Sequence, residues 1–196
     1  MRVLVACEFS GMVRDAFNAR GHDAWSCDLL PTERAGPHFQ GDIFGDAWRA
    51  GPWDLLIAHP PCTHLAVSGA AWFERKKASG VQEDALAFVW MLMDASVPRI
   101  AIENPVSIIS SRIRKPDQII QPWMFGEMEQ KATCLWLKNL PKLQPTNDVH
   151  EAMMQLPKKL RERKHYASPG PDRWKIRSRT LQGIADAMAD QWGMAI

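Results

Sequence analysis

Three short runs in this chain are apolar at consecutive positions: "RVLVAC" (2–7), "WDLLIA" (53–58) and "RIAIE" (99–103). A strand buried on one face alternates apolar and polar side chains. An unbroken apolar run is instead the habit of a strand covered on both faces, as at the centre of a parallel sheet. Segments of helical period stand between the runs. Residues 12–19 put Val13, Ala16 and Phe17 on one face, and Gly21 stops them before "DAWSCD" (23–28), a second strand. "VQEDALAFVWMLMDA" (81–95) has the length and period of a helix, and "ATCLWL" (132–137) reads as a further strand. "LQGIADAMADQW" (181–192) is an amphipathic helix with Leu181, Ile184, Ala185, Met188 and Trp192 on one face. Strand and helix in this alternation predict an α/β fold, a mostly parallel doubly wound sheet flanked by helices.

"LLPTERAGPHFQGDI" reads as loop, broken by Pro31, Gly36, Pro37 and Gly41. From 138 to 175 the pattern dissolves into prolines and charges, apart from a short helix around 151–156. At 196 residues and 46% hydrophobic content, the chain suits one compact unit. The expected organisation is an α/β core over 1–137, a short basic insertion over 138–177, and a final helical segment, 178–196, returning to the core. No apolar stretch reaches the roughly 18–20 residues that span a bilayer. The run at the N-terminus is too short for a secretory signal, so a cytoplasmic protein without membrane partners is expected.

Cys7, Cys27, Cys62 and Cys134 are dispersed without a CxxC pair, which predicts reduced thiols. His59, Cys62 and His64 lie close together, but structural zinc wants four ligands in paired spacings, and no metal is expected. The net charge of +2 is unevenly held. Residues 157–179 carry nine basic side chains against Glu162 and Asp172, a local +7, so the remainder carries −5. Such a patch fits a polyanionic partner, and it equally fits a solvated loop.

Parallel sheets bind ligands at the carboxyl ends of their strands. The expected strands end in "EFSG" (8–11), Asp28, "PPC" (60–62) and "ENP" (103–105). Each has an ordinary reading taken alone: Gly11 a turn, Asp28 a cap, Glu103 a surface acid, Cys62 a small packed side chain. Together they place a glycine turn, two acids and a thiol on one rim.

In this set, order and spacing resemble the cytosine-5 methyltransferases over residues 3 to about 110. "EFSG" is similar to that family's cofactor loop, "QGDI" to its adenine turn, "PPC" to its nucleophile motif and "IENP" to its Glu-Asn motif. The resemblance implies a Rossmann-like class I methyltransferase that uses S-adenosylmethionine. It implies Cys62 as a nucleophile at pyrimidine carbon 6, Glu103 as acid at N3, Asn104 as its brace and Pro61 as a stiffener. For the cofactor it implies Phe9, Ser10, Gly11, Asp28, Leu29, Asp42, Ile43 and Pro60. Substrate contacts are expected from Ser68, Lys131, Thr133, Arg173, Arg177 and Arg179. The chemistry requires the Cys62 thiol to ionise readily and the Glu103 carboxyl to take up a proton, helped by burial. Val13 stands where the family has a second glycine, and only about 40 residues occupy the place of its long target-recognition region. Three substrate readings therefore remain: cytosine in duplex or single-stranded DNA, with low sequence specificity and a phage-like character; a free cytidine nucleotide such as dCMP; or an inactive relative that binds DNA or a partner.

Overall fold

A computed structural model describes residues 1–194; the last two residues of the expected 178–196 segment lie outside it. In chain order the elements are β1 (Arg2–Ala6), α1 (Met12–Asn18), β2 (Asp23–Asp28), β3 (His38–Gln40), β4 (Leu55–Ala58), α2 (Phe73–Ala78), α3 (Val81–Met93), β5 (Arg99–Pro105), α4 (Ile109–Arg112), β6 (Gln118–Ile120), β7 (Thr133–Lys138), α5 (His150–Met154), α6 (Lys158–Arg161), α7 (Arg173–Ser178) and α8 (Gln182–Gly193). The strands form one sheet in the order β3-β2-β1-β4-β5-β7-β6. The first five are parallel, while β7 runs antiparallel to both β5 and β6. The Rossmann-like, mostly parallel and doubly wound sheet flanked by helices that the sequence predicts is the one observed.

The unbroken apolar runs explain the layering. Val3, Val5, Leu55 and Ile57 point to one side of the sheet, against Val13 and Phe17 of α1 and Ile184, Met188 and Trp192 of α8. Their neighbours Leu4, Leu56, Ala58, Ile100 and Ile102 point to the other, against Leu86, Val89 and Leu92 of α3 and against Trp136. Each fully buried aliphatic side chain contributes roughly 1.5–3 kcal/mol relative to exposure, so β4, with all four residues at 0% exposure, ties the two layers together.

Two strands escaped the sequence pattern. β3 forms inside the expected loop, held by the pairs Ser26↔His38 to Asp28↔Gln40 and by stacking of Phe39 on Trp25 at 4.8 Å. β6 is an edge strand next to β7, and the Gln118 amide brackets Leu143 through Nε2 to O (2.7 Å) and N to Oε1 (2.8 Å). Three residues are too few to show a period. Among the described residues, no helix is long and apolar enough to cross a membrane.

Candidate active site

The register between β4 and β5 builds the centre of the site. Ile57 pairs with Ala101 and Ala58 with Ile102, so the next two steps set His59 beside Glu103 and Pro60 beside Asn104. Both contacts are made. His59 Nδ1 lies 3.0 Å from Glu103 Oε2, and Asn104 Nδ2 donates to Pro60 O at 2.8 Å. Asn104 is buried, and this bond ties its side chain to the start of the Pro-Pro-Cys loop. The loop turns at once, with Leu65 and Ala66 N–H groups donating to Cys62 O at 3.0 and 2.9 Å. Pro60 is buried, Pro61 is exposed and Cys62 is half-buried.

The charges around this loop run against the expectation from sequence. Burial pushes the Cys62 thiol up, Glu103 pushes it further, and Lys131 and Arg177 oppose them without winning, so the thiol stands above its ordinary value. Burial also pushes Glu103 up, but the His59 hydrogen bond together with Lys131 and Lys164 outweighs it, and the carboxyl group is held below its usual range. The chemistry read from the sequence needs a thiol depressed by backbone N–H groups or a nearby cation and an acid raised by burial; the net direction is the opposite for each. Lys164 is itself pulled down to about 8 by burial and by Lys131.

On the other side of His59 is the turn after β1. Cys7 adopts φ 58°, an uncommon left-handed conformation for a non-glycine residue, and this turns the chain so that Glu8 folds back under α1. The buried Glu8 carboxylate accepts from Val13 N at 2.7 Å, Arg14 N at 3.2 Å and Ser10 Oγ at 3.3 Å, capping the helix in place of a side chain at the usual position. Burial holds Glu8 above the normal carboxylate range, although His59, the Val13 and Arg14 N–H groups and the Arg14 charge oppose it. Gly11 has φ 71°, and a Cβ there would lie 2.5 Å from Arg14 Nη2. That guanidinium is fully buried and holds the 32–35 loop through Thr32 Oγ1 and the Arg34 and Ala35 carbonyls. Asp28 closes β2, its Oδ1 accepting from Leu30 N at 3.0 Å, and burial raises its pKa. Leu29 is 74% exposed. Asp42 caps the next turn, accepting from Phe44 N at 2.8 Å, with Ile43 buried beneath. Asp28 and Asp42 both act on the Cys7 thiol, so the two acids share one rim with the β1 turn.

The basic segment lies across this rim as a strap. Trp174 of α7 meets Phe9 edge-on at 5.8 Å, and Arg179 grips Glu33 with two bonds of 2.8 and 2.6 Å. Lys131 Nζ reaches Arg177 O at 3.4 Å, and Lys164 Nζ reaches Arg179 O at 2.6 Å. Beneath the strap, Cys7, Glu8, Phe9, Ser10, His59, Ser178 and Thr180 line a small, partly open pocket of about 10 Å³, the scale of a single water.

Of the residues singled out in the sequence, Cys62, Glu103, Asn104, Pro60, Lys131 and Arg177 come together at the ends of β4 and β5. Phe9, Ser10, Gly11, Asp28, Asp42 and Ile43 come together at the ends of β1–β3. Thr133 is buried at the start of β7, donating to Lys131 O. Arg173 donates to His165 O, Arg179 is engaged by Glu33, and Ser68 is exposed on the 3-10 segment Val67–Trp72. His59, Glu8, Lys164, Glu33 and Trp174 had not been singled out for these positions. Only His59 carried a signal, immediately past an apolar strand and next to the proline pair. Among the described residues, no group of three or more His, Cys, Asp or Glu side chains could hold a metal ion.

No family model matches the chain, and no curated protein matches it. Solved structures do match. One is a crystal structure from E. coli of a "putative DNA modification methyltransferase encoded within prophage". It is 14% identical with a TM-score of 0.46, over 81% of this chain and 56% of that one. This chain thus spans little more than half the length of that protein.

Proposed function

We propose that this protein is an S-adenosylmethionine-dependent methyltransferase of cytosine carbon 5, acting on DNA with low sequence specificity through a covalent cysteine adduct. The observation that carries the reading is the convergence of Cys62, Glu103 and Lys131 beside a proline loop braced by Asn104, under a strap rich in cations. A thiol, an acid and a cation so grouped are what addition to a pyrimidine needs. Cys62 forms the S–C6 bond, the ring electrons move toward N3, and Glu103 supplies a proton there. Lys131 and Arg177 favour the thiolate. Once carbon 5 is substituted and has lost its proton, the S–C6 bond breaks and Cys62 leaves.

The cofactor end fits the group the reading requires. Carboxylates stand at Asp28 and Asp42 to accept from ribose hydroxyls and the adenine amino group, Phe9 and Ile43 offer apolar surface, and the Ser10-Gly11 turn lets backbone come close. When bound, S-adenosylmethionine supplies an electrophilic methyl group. The pocket beneath the strap, at about 10 Å³, is far smaller than this cofactor, so on this reading the strap lifts to admit it. The strap's charge suits the several phosphates of a DNA backbone better than the single phosphate of a free nucleotide. DNA containing 5-fluorocytosine tests the chemistry directly, because fluorine cannot leave carbon 5 as a proton does. Incubation with cofactor is expected to leave a DNA–protein adduct, stable to denaturation, that maps to Cys62 and is absent from Cys62→Ala. Adduct formation by Cys62→Ala refutes the mechanism, and 5-methyl-dCMP formed from dCMP without any reaction of DNA moves the substrate to the free nucleotide.

A further inference from the structure

A buried imidazole sits where neither the thiol chemistry nor the cofactor rim uses it. The His59 side chain is 7% exposed and that of Glu103 15%, with Nδ1 to Oε2 at 3.0 Å. Its other nitrogen, Nε2, is buried without a hydrogen-bond partner, and the residue lines the small pocket shared with Glu8, Ser10 and Thr180. A polar nitrogen left unpaired at such a depth costs about 1–3 kcal/mol. The cost is understandable if that atom serves a state of the site other than the resting one. The second buried carboxylate, Glu8, is fully occupied with α1.

We propose that His59 is a positioning residue of the pyrimidine site: it orients the Glu103 carboxyl group and shares with it the proton that Glu103 delivers to ring N3. This rests on the methyltransferase reading above. With one proton on the pair beyond neutral imidazole and carboxylate, the arrangements are imidazolium with carboxylate, or imidazole with carboxylic acid, related by a shift along the Nδ1–Oε2 bond. When the S–C6 bond forms and electrons reach N3, the Glu103 proton passes to N3, leaving neutral imidazole and carboxylate. When the thiol is eliminated, N3 returns the proton and the pair is restored. No other reactant is consumed. The arrangement explains how a carboxyl group surrounded by Lys131, Lys164 and the imidazole still serves as an acid. The charged or titratable groups facing the pair are those two lysines, Glu8 from the β1 turn, Cys62 from the loop after β4, Cys134 from β7, and Arg177 from the strap, which acts on Cys62.

The substitution His59→Asn tests this, because its amide keeps a donor near Nδ1 but cannot hold the proton. Methylation of DNA is followed across pH for both proteins, with binding of S-adenosylhomocysteine as the check on folding. The expected result is unchanged binding, a rate reduced by about tenfold to a hundredfold, and a rate–pH profile that differs in shape from that of the wild type. In the wild type, a solvent-protected His59 Nδ1 proton is also expected by NMR, and Glu103→Ala removes it. An active wild type matched by His59→Asn in rate and pH profile overturns this inference alone, as does absence of the protected proton. An inactive wild type overturns the methyltransferase reading itself, and this inference with it.

Discussion

If the strap must lift for the cofactor, the Arg179–Glu33 pair holds it shut, and cutting that pair should tighten cofactor binding. The perturbation is Glu33→Ala, at a position outside the site. The pair is bidentate, which favours it, but the side chains are 41% and 34% exposed, so solvent screens it. A fair magnitude is about 0.5–1 kcal/mol. When the closed form predominates, apparent affinity is the intrinsic affinity scaled by the open fraction. Loss of that energy then raises affinity by about two- to fivefold. Calorimetric titration with S-adenosylhomocysteine, which is neutral overall, reads this without much direct electrostatic attraction. Arg179→Ala and the double variant should give the same gain, since each removes one shared contact, and the cycle should show no further additivity. Raising salt from low to physiological should tighten wild-type binding and leave Glu33→Ala unaffected. Weaker binding by Glu33→Ala, or additive gains from the two single variants, would refute the closed strap.

Four further outcomes rest on particular contacts. Glu8→Ala strands the Val13 and Arg14 N–H groups and should cost about 2–3 kcal/mol, lowering Tm by roughly 4–12 °C by thermal unfolding. Asn104→Ala frees the Pro60 carbonyl and should lower the DNA methylation rate at least tenfold while sparing S-adenosylhomocysteine binding; an unchanged rate would show the brace to be idle. Because Cys62 stands above its ordinary value, its alkylation by iodoacetamide should be slow at neutral pH and rise steeply in the alkaline range, and Lys131→Gln should move that rise to still higher pH. Glu103 is held below its unfolded value, so it contributes stability that is present above that value and lost as pH falls through the lower folded one. Acid unfolding of Glu103→Gln should therefore show a shallower pH dependence than the wild type.

The sheet was legible because burial on both faces leaves a mark on sequence. The run 55–58 has no alternation to misread, and α8 carries a clear stripe from Ile184 to Trp192. β3 and β6 left no such mark, since their three residues are fixed by pairing to β2 and β7 and not by their own pattern. At the site, the residues that end strands were legible because topology gathers strand ends. Partners drawn from distant segments were not. Glu33 meets Arg179 across 146 positions, and Lys131 meets the Arg177 carbonyl across 46. No spacing rule reaches so far. His59 is instructive in another way. Beside Cys62 and His64 it raises a metal reading that the ligand count rejects, and only the register of β4 on β5 shows that its neighbour is an acid 44 residues away.

The directions of the two shifts carry a consequence for how the site would work as a unit. Glu103 is among the groups that keep the Cys62 thiol protonated, and Lys131 acts on both, favouring the ionised form of each. The free protein thus holds a charged acid and an uncharged nucleophile, the reverse of what addition to a pyrimidine requires. Moving one proton onto Glu103 removes a negative charge from beside Cys62, and the thiol then ionises more readily with Lys131 and Arg177 still at hand. The acid and the nucleophile become competent together, when a ring with an unprotonated N3 offers Glu103 a partner for its proton. This coupling has a signature: Glu103→Gln, neutral at every pH, should bring alkylation of Cys62 to lower pH than in the wild type even as it abolishes methylation. A thiol that becomes less reactive in Glu103→Gln would show that the two groups do not share one electrostatic neighbourhood.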